Sequence, residues 1–493
     1  MSVLNQFFGR RRFLQAGLGA LAGAVGLRGA AVAQVPTAGS QTGTTSGGPR
    51  AVPGAAGAPL LPVVAPDLGK LPFEWDNGVK VFKLVAEPVK QEVLPGKVFD
   101  LWGYNGSAPG PMIEVIEGDR VRILFENRLP EPTTVHWHGL EVPIEMDGVP
   151  AISQPDVEPG GRFTYEFTLH QHGTFFYHSH GAMQEMMGML GLFIIHPKTA
   201  YAPPVQKDYA IVLQEYAVLP NNTIPNSLSM EFNWLTFNGK AAPATTPLLV
   251  KVGERVRLRL VNIGMDHHPI HLHGMQFELT GTEGGRIPPA GWYPHNTVLV
   301  GVAQSRDIEF NAKFPGDWML HCHLPHHMMN QMVSMVGPMA HAGHGMTTGG
   351  GMEAGMGMIR QGNALSEDLG PKFGRGMGMA TEERQISNAV QPQTAQGGEH
   401  PGHGTQHGGP GQGPKKRVPG YPQDMFMPMD DAVAKPETYG MAKNWTGATQ
   451  GMMSIVRVLP PDKYDEIMRL VQAAREAQPK PNATPAASQR HRH

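Results

Sequence analysis

The feature that most limits how this 493-residue chain can fold is an internal repeat. Gly118-Asp119-Arg120-Val121-Arg122 returns as Gly253-Glu254-Arg255-Val256-Arg257, a step of 135 residues. The same step carries Asn127 to Asn262 and His136-Trp137-His138-Gly139 to His271-Leu272-His273-Gly274. Tyr104-Asn105-Gly106 is echoed by Phe237-Asn238-Gly239, and His178-Ser179-His180 by His321-Cys322-His323. Self-similarity at one long period means one folding unit used twice. Within the first unit, Ile113-Glu114-Val115, Val121-Arg122-Ile123-Leu124-Phe125 and Phe163-Thr164-Tyr165-Glu166-Phe167 are β-branched or aromatic runs separated by turn residues. Such runs are strands at the spacing of a sandwich or barrel. An all-β protein is expected, with domains over 71–200 and 201–338.

The flanks have a different texture. Gly9-Arg10-Arg11-Arg12-Phe13-Leu14-Gln15, the apolar stretch Ala16 to Leu27 and Ala31-Val32-Ala33 resemble a twin-arginine signal peptide over 1–33. The apolar run is too short to span a bilayer. Residues 34–70 read as a flexible linker of small residues and proline. Residues 339–493 read as a Met-, His- and Gly-rich extension, mostly disordered, with a short helix near 462–477 where Tyr464, Ile467, Met468 and Val471 share a helical face. A periplasmic or secreted protein with no permanent membrane span is expected.

Composition narrows the chemistry. A net charge of −2 offers no basic excess for phosphates, so nucleic acid is not an expected partner. One cysteine excludes an intramolecular disulfide framework and zinc sites built on paired cysteines. Against it stand 23 histidines and 29 methionines, a balance that favours metals. On a strand, residues i and i+2 share a face, so each His-x-His presents two imidazoles side by side. His136/His138, His178/His180, His271/His273 and His321/His323 are four such pairs, enough nitrogen for several metal ions. His268, Cys322, His327 and Met332 form a separate set. Two imidazoles, a thiolate and a thioether are the donors of a blue-copper electron-transfer site.

The motifs H-W-H-G, H-S-H, H-x-x-H-x-H-G and H-C-H-x-x-x-H-x-x-x-x-M resemble those of the multicopper oxidases, over about residues 95–337. With the cysteine motif in the second domain alone, the chain is similar to the two-domain, small-laccase type. The resemblance implies two tandem cupredoxin-like Greek-key β-barrels and four coppers. His268, Cys322, His327 and Met332 would hold type 1 copper; His136 and His271 type 2; His138, His178, His180, His273, His321 and His323 the type 3 pair. It also implies a homotrimer, with the three-copper cluster formed between neighbouring chains. The reaction implied is one-electron oxidation of a donor coupled to four-electron reduction of O2 to water.

Asp147, in Met146-Asp147-Gly148, matches an acid that this family places near the cluster. Two readings stand for it, a proton relay and a turn residue before glycine. Met328 follows the second type 1 histidine where many relatives carry an acid, and Asp266 is a substitute candidate. Methionines crowd the motifs, Met183, Met186, Met187 and Met189 after His180 and Met346, Met352, Met356 and Met358 in the extension. Thioethers select Cu(I), so Cu(I) is the favoured donor, as in copper tolerance. The alternatives are phenols or aromatic amines, then Mn(II) or Fe(II), a copper nitrite reductase, or a copper-sequestering protein.

Overall fold

The computed structural model describes residues 60–181, 183–219, 222–330 and 429–477. The signal peptide, most of the expected linker, Met332 and residues 331–428 lie outside the described residues. No helix among the described residues is long and apolar enough to cross a membrane.

Two β-barrels follow one another, as the repeat requires. In the first, Phe73–Asp76, Val79–Leu94, Lys97–Tyr104, Arg120–Asn127 and Arg162–Thr168 form one sheet; Gly110–Ile116, Leu190–His196, Gly173–Ser179 and Val135–His138 form the other. The strand runs read from the sequence fall inside Gly110–Ile116, Arg120–Asn127 and Arg162–Thr168. Alternation explains which side faces inward: in Arg120–Asn127, Val121, Ile123, Phe125 and Asn127 are buried and their neighbours are not. Each barrel carries parallel strand pairs, Val79–Ala86 with Arg120–Asn127 in the first and Lys207–Leu213 with Val256–Asn262 in the second. Those pairs need crossovers, the signature of interleaved rather than simple meander topology.

The second barrel differs from the sequence expectation in one respect. Its inner sheet runs Leu248–Lys251, Met453–Leu459, Gly316–Cys322, His268–Leu272, Thr297–Val300. A strand far beyond residue 338 therefore sits inside it, second in the order, parallel to Leu248–Lys251 and antiparallel to Gly316–Cys322. Composition hides this strand behind a Gly/Met/His-rich stretch, although Met453-Ser454-Ile455-Val456-Arg457-Val458-Leu459 is buried throughout. Helix Pro461–Ala477 follows, and Tyr464, Ile467 and Val471 dock it beside Leu249 and Leu459. Residues 60–70 also pack rather than dangle: Val63 and Ala65 are buried in a cluster shared by both barrels with Phe176, Leu192, Val212 and Val261.

A buried ionic network joins the barrels. Arg259 donates to Asp208 at 2.7 and 2.8 Å and to Thr174 Oγ1 at 2.7 Å, while Thr174 donates to Asp307. Arg257, Arg255 and Arg286 surround Glu309. Burial alone would raise both carboxyls, but Arg259 and Arg257 hold Asp208 below its ordinary value, and Arg286 and Arg257 do the same for Glu309. A depressed folded-state pKa means the unfolded chain takes up protons first as pH falls. Its stabilisation is thus complete above the ordinary carboxylate value near ~4 and is lost below it, at up to ~1.4 kcal/mol per pH unit for each group. The melting temperature should hold between pH 7 and about 5 and drop steeply toward pH 3. A flat profile down to pH 3 would remove this network from the account of stability.

Candidate metal centres

Strand geometry sorts the donors. Strand Gly316–Cys322 pairs with His268–Leu272 so that His321 lies opposite His271 and Cys322 opposite Ile270. Alternation sends Cys322 to one face, with Ile270 and His268, and His321 to the other, with His271. One strand thus serves two centres.

On the first face, Cys322 Sγ lies 3.4 Å from His327 Nδ1 and 3.7 Å from His268 Nδ1, and the two ring nitrogens are 3.1 Å apart. All three residues are buried. His268 Nε2–H donates to Glu215 Oε2 at 3.1 Å, which leaves Nδ1 as a lone pair aimed at the sulfur. Glu215 is itself fully buried and also accepts from the backbone N–H groups of Met265 and Asp266. His327 Nε2 sits 3.4 Å from Asp266 Oδ2 without hydrogen-bond alignment. The His327 ring holds the Asp266 carboxyl below its usual value. Burial pushes the Cys322 thiol up to about 12, helped by the charges of Glu215 and Asp266. Two lone pairs and a sulfur that needs a cation to stay ionised fit a soft-to-borderline metal such as copper.

On the other faces are two histidine quartets of matching design. In the first barrel, the His136 ring lies 5.6, 5.3 and 5.6 Å from those of His138, His178 and His180. In the second, the His271 ring lies 4.8, 5.6 and 5.5 Å from those of His273, His321 and His323. Backbone carbonyls set the tautomers. His136 Nδ1–H donates to Asp147 O (2.7 Å) and His271 Nδ1–H to Asn296 O (2.6 Å). His178 and His321 each donate to the carbonyl of the next residue, Ser179 and Cys322, at 2.8 Å. In all four, Nε2 is left free for a metal, a device typical of ligating histidines. The remaining approaches are ring nitrogen to ring nitrogen: His138 Nδ1 to His178 Nε2 at 3.3 Å, and His273 Nε2 to His321 Nε2 at 3.1 Å. Burial and the neighbouring His178 and His136 rings push His138 down to about 4, and burial lowers His136, His273 and His321 too. Neutral imidazole is the ligand form.

The two quartets belong to different barrels. Among the described residues no ring contact joins a histidine of one to a histidine of the other, and His180 and His323 are exposed. Asp147 stands beside His136. It closes the turn before Gly148, and its Oδ1 is 3.5 Å from His136 Nδ1. Asp266 lies at the sulfur centre and not at a quartet. Sequence reasoning missed Glu215. Its one signal is a polar pair, Gln214-Glu215, directly after the apolar run Tyr209 to Leu213 in strand Lys207–Tyr216.

Two profiles described as multicopper oxidase match residues 87–200 and 218–338. Multicopper oxidase MmcO of Mycobacterium tuberculosis is 27% identical over 62% of this chain and 62% of its own length. A copper resistance protein A homolog of Pseudomonas syringae is 26% identical over 41% of this chain and 43% of its own length. The chain spans less than two thirds of these curated relatives. The solved blue copper oxidase of Nitrosomonas europaea is 32% identical, with a TM-score of 0.48, over 51% of this chain and 81% of that one.

Proposed function

The chain belongs to the multicopper oxidase family, and from that membership we propose that it oxidises Cu(I) one electron at a time and reduces O2 to water. His268, Cys322 and His327 hold the type 1 copper, and the eight quartet histidines hold the type 2 and type 3 coppers. Bound copper supplies the one-electron chemistry and the four-electron delivery to O2. The observation that carries the reading is the single strand with Cys322 on one face and His321 on the other, with His323 next in sequence. One peptide link on each side of Cys322 would join the residue that takes electrons to two histidines of the centre that uses them.

The protein's own groups do the rest. Glu215 keeps the His268 proton on Nε2, and backbone carbonyls keep the protons of His136, His178, His271 and His321 on Nδ1. Asp147 hands protons toward the His136 side of the cluster from its partly exposed carboxylate. That no ring contact among the described residues joins the two quartets supports a homotrimer in which the first-barrel quartet of one copy meets the second-barrel quartet of the next. The motif at 9–33 supports export by the twin-arginine route to the periplasm.

Cu(I) is favoured as donor because Met346, Met352, Met356 and Met358 belong to the segment that directly follows the type 1 motif. The likeness to copper resistance protein A points the same way. The test is O2 uptake by the copper-loaded full chain against a variant lacking residues 339–420, with Cu(I) and, separately, a phenol. Cu(I) turnover should fall several-fold in the variant while phenol turnover persists. Equal Cu(I) rates with faster phenol turnover would leave a laccase-like oxidase instead.

A further inference from the structure

Type 1 copper takes a fourth, weak axial donor, and counting along the sequence from Cys322 puts it at Met332. The first barrel, which has the same loop without the long Met- and Gly-rich segment, supplies a ruler for that count. There Thr133, Ser179 and Gln184 occupy the places of His268, Cys322 and His327. Ser179 Oγ donates to Gln184 Oε1 at 2.6 Å and meets Thr133 Oγ1 at 2.9 Å, so hydrogen bonds fill the space that donors fill in the second barrel. The backbone of this loop is fixed by three contacts. Gln184 N–H donates to Gly181 O (3.2 Å), Met189 N–H to Gln184 O (3.3 Å), and Ser179 N–H to Met189 O (2.9 Å).

The second barrel repeats all three, with one substitution of partner. His327 N–H donates to Leu324 O (2.9 Å), matching the first contact. The residue that then donates to His327 O (2.9 Å) and accepts from Cys322 N–H (3.0 Å) is Met452. Met452 is preceded by Gly451 at φ 67°, as Met189 is by Gly188 at φ 104°. A side chain at Gly451 would overlap the His327 carbonyl, so the chain passes the loop closely there. Both methionines are fully buried, and Met452 shares a core cluster with Cys322 and Ile270. Register gives the direction of the side chain. His321 pairs with Met453, so the next pair outward is Cys322 with Met452. Residues directly opposed in an antiparallel ladder point to the same face, with Cβ atoms roughly 4.5–5.5 Å apart.

We propose that Met452, not Met332, is the axial thioether of the type 1 centre, and that residues 331–450 are inserted into the loop between His327 and its axial ligand. The edges of the insertion meet at the site. Gly451 N–H donates to Asn330 Oδ1 at 3.1 Å, and Asn330 Nδ2 donates to Ala242 O at 2.9 Å, whose own N–H returns to Gly451 O. Met332 draws attention in the sequence because the inserted segment opens with methionines at Met332 and Met335. The assignment rests on the multicopper oxidase reading above.

The test uses the copper-loaded full chain and reads the visible spectrum, the electron paramagnetic resonance of the type 1 copper, and its reduction potential. Met452→Leu, which removes the donor, should raise the potential. Met452→Gln, which offers a stronger oxygen donor, should lower it, and both should alter the resonance. Opposite shifts at one position cannot come from misfolding. Met332→Leu should leave all three readings as in the parent chain. Shifts in Met332→Leu with silent Met452 variants would overturn the assignment, and so would silence at both. A parent chain that takes up copper without a blue type 1 signal would instead sink the multicopper oxidase reading on which the assignment stands.

Discussion

Cutting the chain after Pro338 should abolish folding of the second barrel, whereas removing residues 339–420 alone should leave it intact. The cut deletes the interior strand Met453–Leu459 from a five-stranded sheet, and both neighbours, Leu248–Lys251 and Gly316–Cys322, lose a ladder partner. Met452, Met453, Ile455, Val456, Val458 and Leu459 are all at most 8% exposed. At roughly 1.5–3 kcal/mol for each buried side chain, their loss amounts to about 10 kcal/mol or more. That is comparable to the whole net stability of a domain, roughly 5–15 kcal/mol. The internal deletion keeps every described residue. Circular dichroism and thermal melting should give a cooperative transition for the internal deletion and none for the second barrel of the cut chain. Equal melting of both would show that the strand is dispensable.

The second large effect is at the sulfur. Cys322→Ser should remove the blue colour completely and lower donor oxidation to the level of metal-free protein. Copper content should drop by about one quarter, because the histidine quartets keep their ligands. Serine fits the site sterically, as Ser179 shows at the equivalent place in the first barrel. It offers no soft anion, and a neutral hydroxyl between two imidazoles does not hold a type 1 copper. The measurements are absorption, metal analysis and O2 uptake. A chain that kept its blue colour without Cys322 would place the electron-accepting centre elsewhere.

The histidine donors were legible because their chemistry is local. A His-x-His on a strand carries its geometry in its spacing, and the repeat in Gly118–Arg122 and Gly253–Arg257 announces two barrels before any strand is placed. What escaped was non-local. Glu215 reaches His268 across 53 residues of chain, and nothing around it marks it as the group that fixes a ring tautomer. Strand Met453–Leu459 escaped because composition averages over a window, and the window before it is dominated by Gly, Met and His. The axial donor we propose, Met452, lies beyond a count of ten residues from Cys322 for the same reason: such a count holds only where the loop is uninterrupted, as between Ser179 and Met189. The histidine pairs were legible one by one. Where the two sets lie relative to each other depends on how two barrels are set together, which no motif records.

Because an interior strand of the second barrel, Met453–Leu459, is encoded so late, the order of synthesis matters. A nascent chain that has reached residue 330 already carries His268, Cys322 and His327, but its sheet stays open until residues 452–459 have left the ribosome. A partial product therefore displays a cysteine among histidines without the strand that encloses it. Such a chain lacks both Met452 and the strand that covers Cys322, so the sulfur site stays unenclosed until those last residues are made.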